Sequence, residues 1–411
     1  MIPRRNIVIT GIGVISPIGT GKDRYWEGLF EGRTGFRKIG LFDTSSFSVH
    51  TAGEISDFDP ESLLGKKGLR TLDRSTKLLM SAAQLAIDDA KLQITEQNTY
   101  ITGVSIGTTF GSLHSISQFD RDSLIEGPKY VNPSHFPNTV INSPASQVSI
   151  RFQIKGFNTT ISTGFCAGID AVTYASDFIR LNRADVVLAG AVEELCEETF
   201  FGFHKLGYLS GMDGSEPICC PFDARRNGII LSEGAAVLVL EDEHHALRRG
   251  AAIVAKVLGY GNAFDPDADK KFNSSGTGLT NAIVLALKDA SMAPEAVDCI
   301  FSGANSTRGL DRMETEVIKA VFGKDAYTIP VSAVKSMVGE TFSASGTLSI
   351  SAAVGTVIKG IIPPTVNHKE NDQECNLDYV LNGARKQPVN AALIISSDPY
   401  GHNSAIIIGK H

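Results

Sequence analysis

The chain has few of the features that mark secreted, membrane-spanning or metal-binding proteins. Its 411 residues include only six cysteines, with no CxxC pair and no zinc-like spacing, and Cys219 and Cys220 are adjacent. Such sparse thiols predict a reduced, cytoplasmic protein with unlinked cysteines and no metal site. No apolar run reaches the length of about 18 residues that a membrane-spanning helix needs. The first apolar stretch is interrupted by glycines and Pro17, which predicts a buried strand rather than a signal peptide.

An excess of positive charge is also missing. The formal net charge is −7, whereas proteins that bind nucleic acids usually carry a basic excess. The sequence therefore argues against a nucleic-acid partner. Hydrophobic residues make up 42% of the chain, which at this length predicts a large core spread over two or three domain-sized units.

Short β-branched segments alternate with amphipathic segments, a pattern typical of an α/β fold. The second half repeats the first: "LAIDDA" at 85–90 is matched by "LALKDA" at 285–290, and each is followed by a strand ending in glycine. "ADVVLAGAVEE" and "VNAALIISSDP" form a later matched pair. Matched elements in one order predict a duplication, with one half over residues 1–250 and the other over 251–411.

The segment "ISTGFCAGIDAV" at 161–172 contains a candidate nucleophile. Cys166 follows a predicted strand and precedes a predicted helix. The positive end of a helix dipole lowers the pKa of a thiol and stabilises an anion, which suits nucleophilic acyl transfer. The alternative is that Cys166 is a small buried thiol of the core.

Five motifs, in order, resemble those of the β-ketoacyl synthases, which have the thiolase fold. They are "VITGIGVISPIG", the "STGFCAGIDA" run, "PFDARRNGIILSEGAAVLVLE", "PVSAVKSMVGE" and "GIIPPTVNHKE". The resemblance covers nearly the whole chain. It implies an α/β, thiolase-like fold in which two duplicated halves form a five-layered α-β-α-β-α arrangement.

The same resemblance places three catalytic positions of the family, and none carries its catalytic residue. The active-site run of the family, T-[AG]-C-x-S-G-[LIV]-D-A, aligns without a gap, so Phe165 stands at the nucleophile and Cys166 comes one residue late. Gly303 and Glu340 stand at the two histidines. The loop that supplies an oxyanion-hole amide reads Asp398-Pro399-Tyr400-Gly401, and proline has no N–H to donate. We therefore predict no catalytic residue in this chain, with Cys166 pointing away from the site.

Loss of all three groups while the fold motifs remain resembles the chain length factor, the ketosynthase-β subunit of type II polyketide synthases. That resemblance implies a silent subunit that pairs with an active ketosynthase-α subunit and controls the length of a chain held on an acyl carrier protein. The chain itself needs no cofactor, since the phosphopantetheine is carried by the carrier protein. Two alternatives stay open: a stand-alone β-ketoacyl synthase that uses Cys166, and a non-catalytic scaffold that binds acyl chains.

Two further sets of residues are candidates for function. The first follows a predicted strand and, by resemblance, reaches the dimer interface and lines the polyketide tunnel; it comprises Phe110, Leu113, His114, Ile116 and Phe119. The second is a basic run in an acidic chain, which could dock an acidic carrier protein; it comprises Lys66, Lys67, Arg70 and Arg74. The alternatives are ordinary core packing for the first set and a solvated helix face for the second.

Two more polar residues lie in the family's site motifs. Glu340 could act as a charge at the silent site or the subunit interface, or form a structural ion pair with Lys335. His402 is interpreted as a hydrogen-bonding loop histidine rather than a substitute base.

Overall fold

A computed structural model describes residues 5–267, 275–381 and 383–411. The strands of the described part are β1 (Ile7–Ser16), β2 (Gly19–Thr20), β3 (Arg37–Lys38), β4 (Thr51–Ala52), β5 (Thr102–Gly107), β6 (Asn158–Ile161), β7 (Val186–Glu193), β8 (Gly234–Asp242), β9 (Ala255–Phe264), β10 (Cys299–Phe301), β11 (Val331–Ser332), β12 (Ile361–Ile362), β13 (Arg385–Lys386), β14 (Ala391–Ser397) and β15 (His402–Gly409).

The α-helices of the same residues are α1 (Lys22–Glu31), α2 (Pro60–Leu64), α3 (Arg74–Asp89), α4 (Leu113–Glu126), α5 (Ser143–Phe152), α6 (Ala167–Arg180), α7 (Glu197–Leu206), α8 (Glu243–Arg248), α9 (Thr277–Ala290), α10 (Arg308–Phe322), α11 (Lys335–Val338) and α12 (Ser343–Lys359). Short 3₁₀ helices span Pro133–Thr139, Gly164–Cys166, Pro294–Ala296 and Gly323–Tyr327. None of the helices in the described ranges is both long enough and apolar enough to cross a membrane.

The predicted duplication is visible in the order of the main sheet. The strands run β11-β10-β14-β15-β9-β1-β8-β7-β5-β6, and a short antiparallel contact between β1 and β9 joins the two halves. On one side of this contact β5 is parallel to β6 and β7, and β7 is antiparallel to β8. On the other side β10 is parallel to β11 and β14, and β14 is antiparallel to β15. Each half therefore contains the same five-stranded unit.

The helices complete the five layers. α3 covers β1 and β8, and α9 covers β9 and β15, as outer layers, while α6 and α12 pack on each other between the two halves. α12 is buried along nearly its whole length, and small residues bring it close to α6: a Cβ on Gly168 would lie 2.2 Å from the carbonyl oxygen of Ser343. The predicted thiolase-like arrangement is confirmed.

One end of the sheet is open. β6 is the last strand, paired with β5 alone among the described residues, and most of its residues are partly exposed. The chain then passes through the Gly164–Cys166 turn directly into α6. The edge strand and the candidate nucleophile segment are thus one continuous piece of chain.

Candidate functional site

The turn between β6 and α6 separates the side chains of its two central residues. Gly164 has a φ of +60°, a left-handed conformation that favours glycine. A Cβ there would lie 2.0 Å from a carboxylate oxygen of Asp398. After this turn the side chain of Phe165 lines a cleft, and its ring packs edge-on against Phe342 with the ring centres 5.1 Å apart. Phe165, which the sequence aligns with the family's nucleophile, therefore faces this cleft; its equivalence to the nucleophile stays a prediction.

Cys166 lies on the other side of the same turn. Its Sγ donates to the carbonyl oxygens of Ser396 and His402, each at 3.4 Å, and the residue is fully buried. Burial, with the nearby carboxylates of Asp170 and Asp398, raises the pKa of the Cys166 thiol well above its usual value. The expectation that the helix start would lower this pKa is wrong, because desolvation outweighs the helix dipole. Cys166 is a neutral thiol that points away from the cleft.

Glu340 is buried in a network of donors. Its carboxylate forms an ion pair with Lys335, Nζ to Oε2, at 2.8 Å. It also accepts hydrogen bonds from the side chains of Asn305 at 2.9 Å and Ser345 at 3.0 Å, and from the backbone N–H of Phe342 at 3.0 Å. The predicted pairing with Lys335 is confirmed. Four donors hold this carboxylate in place, an arrangement that fits a structural anion.

The side chain of Glu314 fills the space beside Gly303, where the family has a histidine by sequence resemblance. A Cβ on Gly303 would lie 2.8 Å from Oε1 of Glu314. Glu314 accepts a short hydrogen bond from the hydroxyl of Ser302. Its complete burial raises its pKa to about 8, so a neutral carboxylic acid is strongly populated there at neutral pH. Sequence reasoning missed Glu314 because it lies on α10, separated in sequence from the motif.

Asp398 occupies the hydrogen-bonding position in front of Phe165. Its carboxylate accepts from the backbone N–H of Phe165 at 3.1 Å and from that of Tyr400 at 2.7 Å. Burial raises the pKa of Asp398. An oxyanion hole needs free donors aimed at a developing negative charge. Here the Phe165 amide is already paired with the carboxylate of Asp398. Pro399, the residue after Asp398, has no N–H to donate.

The cleft in front of Phe165 has a volume of about 450 Å³. Three aromatic rings of the cleft wall pack against Phe342, which lies behind them. The centre of the Phe342 ring is 5.0 Å from that of Phe110, 5.1 Å from that of Phe165 and 5.0 Å from that of Phe203. Sequence analysis missed Phe203 and Phe342. The density of aromatic residues in "ETFFGFHKLGY" was the available signal for Phe203, whereas Phe342 had none.

The segment predicted to line a tunnel is divided between two clefts. Phe110 and Leu113 line the cleft in front of Phe165. His114 and Phe119 line a second cleft of about 420 Å³ between α4 and the 3₁₀ helix Pro133–Thr139, while Ile116 is partly exposed and lines neither of the two. His114 also bonds Glu198, Nδ1 to carboxylate oxygen, at 3.2 Å. The tunnel role stays a prediction.

The predicted basic patch needs one correction. Lys66, Lys67 and Arg70 are exposed. Arg74 is not free to dock a partner, since its Nε and Nη2 donate to the buried carboxylate of Glu233, each at 2.6 Å. A guanidinium held by two parallel hydrogen bonds to a buried carboxylate belongs to the fold.

His402 and the cysteines complete the set of candidate groups that the sequence singled out. His402 lines the cleft in front of Phe165 and packs edge-on against Phe264, ring centres 4.9 Å apart. The cysteines are buried and unlinked. No three His, Cys, Asp or Glu side chains of the described residues are grouped to hold a metal ion.

Comparison with known proteins agrees with this architecture. The family model "Beta-ketoacyl synthase, N-terminal domain" matches residues 4–246, and "Beta-ketoacyl synthase, C-terminal domain" matches residues 254–369. The chain therefore belongs to the beta-ketoacyl synthase family. It is 34% identical to 3-oxoacyl-[acyl-carrier-protein] synthase 2 of Coxiella burnetii (strain RSA 493 / Nine Mile phase I), covering 99% of both chains.

Two solved structures of polyketide-synthase proteins have the same fold as this chain. A chain of the ishigamide ketosynthase/chain length factor is 35% identical, with a TM-score of 0.91 over 99% of this chain and 100% of that one. The second structure is that of a type II PKS acyl-carrier protein in complex with its ketosynthase bound to the hexaketide. One chain of that complex is 29% identical to this chain, with a TM-score of 0.91 and the same coverage. The family thus includes relatives of this chain in both 3-oxoacyl synthases and type II polyketide synthases.

Proposed function

We propose that this chain is a catalytically silent ketosynthase-like subunit, which pairs with an active ketosynthase-α subunit and controls polyketide chain length on an acyl carrier protein. The observation that carries this proposal concerns the residue that the sequence aligns with the family's nucleophile. That residue is Phe165, whose ring is inert and whose backbone amide is paired with the carboxylate of Asp398 at 3.1 Å.

The chemistry of condensation supports the proposal. An acyl transfer needs a nucleophile, a group that moves its proton, and donors for the oxyanion. In this chain Phe165 has no nucleophilic atom, Glu340 is bound by Lys335, and Gly303 has no side chain. Restoring one group leaves the other two absent.

The partner is proposed from the solved relative that is named as a ketosynthase and chain length factor. An open edge strand, β6, and an apolar surface on and after α4 would be covered in such a pair. Leu124 is 86% exposed, Ile125 71% and Tyr130 75%. Large apolar side chains that are exposed close together on a surface are typical of protein interfaces.

The carrier protein is proposed from the neighbour in which a ketosynthase binds one. Lys66, Lys67 and Arg70 form an exposed basic patch that could dock its acidic surface. The phosphopantetheine arm belongs to the carrier protein, so this subunit would need no cofactor of its own. Such a complex would work in the cytoplasm.

Two other functions are supported by a specific observation each. The relatives named as 3-oxoacyl-[acyl-carrier-protein] synthase 2 favour an enzyme that uses Cys166, against which stands the burial of that thiol. The cleft of about 450 Å³ favours a scaffold that holds acyl chains without extending them.

One experiment separates these functions. The purified chain is incubated with acyl- and malonyl-loaded carrier protein, alone and with a partner ketosynthase, and products and acylated cysteines are measured by mass spectrometry. We expect extension only with the partner. Phe165→Cys alone should stay inactive, because Gly303 and Glu340 stand where the family has the two histidines that move the proton. Stoichiometric acylation of Cys166 that is lost in Cys166→Ala would establish the enzyme instead, and acyl binding without extension in any mixture would favour the scaffold.

A further inference from the structure

The cleft in front of Phe165 combines an apolar wall with a small number of polar side chains. Much of the wall is apolar, with Phe110, Leu113, Phe203, Leu206 and Tyr208. Among the described residues that line it, two are acids, Asp398 and Glu198, one is His402, and none is lysine or arginine. A volume of about 450 Å³ lies within the range of small-molecule sites.

Asp398 is the polar group beside Phe165 in this cleft. It is only 7% exposed, and within the described ranges no lysine or arginine forms an ion pair with it. Two backbone N–H groups, of Phe165 and Tyr400, donate to it. A carboxylate has about four acceptor positions, so acceptor capacity remains for a ligand. Burying a carboxylate without a cation is unfavourable, and a positively charged ligand would offset that cost.

The other charges near the cleft do not favour an anionic ligand. Glu198 adds a second carboxylate, bonded to Nδ1 of His114 at 3.2 Å. The ammonium of Lys335 lies 6.0 Å from the centre of the Phe165 ring. It is already bound by Glu340 at 2.8 Å. A ligand in the cleft therefore meets two carboxylates at close range. The ammonium of Lys335 is neutralised by Glu340, and His402 is the lining side chain that can carry a positive charge.

We infer that this cleft binds an elongated apolar molecule ending in a protonated amine, and that it discriminates against thioester and carboxylate ends. The ammonium donates to Asp398, and the hydrocarbon packs on Phe110, Phe203 and Leu206. A thioester oxygen finds the amide of Phe165 already taken, and a carboxylate is repelled by Asp398. The inference rests on the proposed function, because a site without acyl-enzyme chemistry is free to prefer the opposite charge.

Matched surfactants of one chain length test the inference. Dodecylammonium, dodecanol and dodecanoate are titrated below their micelle concentrations into the full chain, with its partner present if the chain needs it, and binding is measured by calorimetry. We expect dodecylammonium to bind at least about tenfold more tightly than dodecanoate, a difference of about 1.4 kcal/mol. Asp398→Asn should reduce this preference, since Glu198 remains as the second carboxylate of the cleft. The exposed Glu96 lies outside the cleft, so Glu96→Gln should leave it unchanged. The partner's own binding of a given probe is the same with the unaltered chain and with each variant, so it cancels when the variants are compared.

A second variant tests the location independently of Asp398. Leu206 is 61% exposed where it lines the cleft, so Leu206→Trp should weaken binding of all three probes while circular dichroism shows a folded protein. Equal or tighter binding of dodecanoate, a preference that is undiminished in Asp398→Asn, or binding unchanged in Leu206→Trp would each overturn the inference. Acylation of Cys166 in the extension assay would overturn the proposed function without changing these binding results, so the two failures are distinguishable.

Discussion

Single residues at the candidate site have roles in stability that follow from their burial. Lys335 is 3% exposed and Glu340 1% exposed at the side chain, and their charged atoms are 2.8 Å apart. A buried ion pair adds little compared with apolar residues, but removing one partner leaves the other charge buried and uncompensated. The position that the sequence aligns with a catalytic histidine of the family thus holds a group on which folding depends.

The first prediction concerns this pair. Glu340→Gln keeps the shape of the side chain but removes the negative charge beside Lys335, so the free energy of unfolding should fall by about 3–5 kcal/mol. Denaturant unfolding monitored by circular dichroism measures the change. The matched control is Glu31→Gln, which removes the exposed pair with Arg33 and should cost less than about 1 kcal/mol. Equal effects of the two substitutions would show that Lys335 is not stabilised by Glu340.

At the scale of elements, α4 stands apart from the other long helices. It spans Leu113–Glu126, and none of its residues is buried. Helices in proteins gain most of their stability from packing one face on the core, whereas α4 is only partly covered, by α7 and the 3₁₀ helix Pro133–Thr139. Its N-terminal end adjoins both clefts, which places it where a partner and a growing chain would meet under the proposed function.

The second prediction tests whether this segment sets product length. Phe110→Ala, Ile116→Ala and Phe119→Ala each remove volume, and a deleted ring opens space on the order of one or two ketide units. We expect at least one variant to yield longer products when it is assayed with the same ketosynthase and carrier protein. Mass spectrometry of the products gives the lengths.

Stability must be measured beside product length, since the same substitutions cost about 3 kcal/mol if the side chain only fills the core. Val284→Ala on α9, half exposed and remote from both clefts, is the control for a general loss of packing. Destabilised complexes that give unchanged product lengths in all three variants would place the tunnel floor elsewhere.

At the scale of the whole molecule, the open edge of β6 is the feature that calls for a partner. Phe157 and Ile161 accept hydrogen bonds from the backbone of the neighbouring segment, from Val104 and Thr108. Because backbone groups alternate along a strand, the N–H of Thr160 faces the open edge. Unpaired edges of this kind promote association or aggregation.

The third prediction is that the functional unit is a heterodimer formed across this edge. Light scattering of the co-purified chains should give one mass near the sum of the two, of which this chain contributes 43.9 kDa, and an interface of about 2,000 Å² or more is expected for an obligate pair. Thr160→Pro removes the outward N–H and should prevent pairing, whereas Thr160→Val keeps it and should pair normally. A stable, dilute monomer of the unaltered chain would contradict the prediction.

The sequence by itself determined the features that depend on local pattern. The flanks of the "TGFCAGIDA" run aligned Phe165 with the nucleophile position and left Cys166 one residue late, and the repeated helices and strands predicted the duplicated fold. The prediction of the duplicated fold succeeded because the period of apolar residues and the conformational demands of glycine act over a few neighbouring residues. The pairing of Glu340 with Lys335 was also within reach, since the two residues are five positions apart.

Only the tertiary structure decided which distant groups meet. The bond between the Phe165 amide and Asp398 joins residues 233 positions apart, and the one between Arg74 and Glu233 joins residues 159 apart. The first blocks the donor that an oxyanion would need, and the second withdraws Arg74 from the predicted docking patch. Likewise the burial that raises the pKa of Cys166 comes from β14 and β15 packing over the turn. Such contacts are set by how the two halves fold onto each other, and no local pattern encodes them.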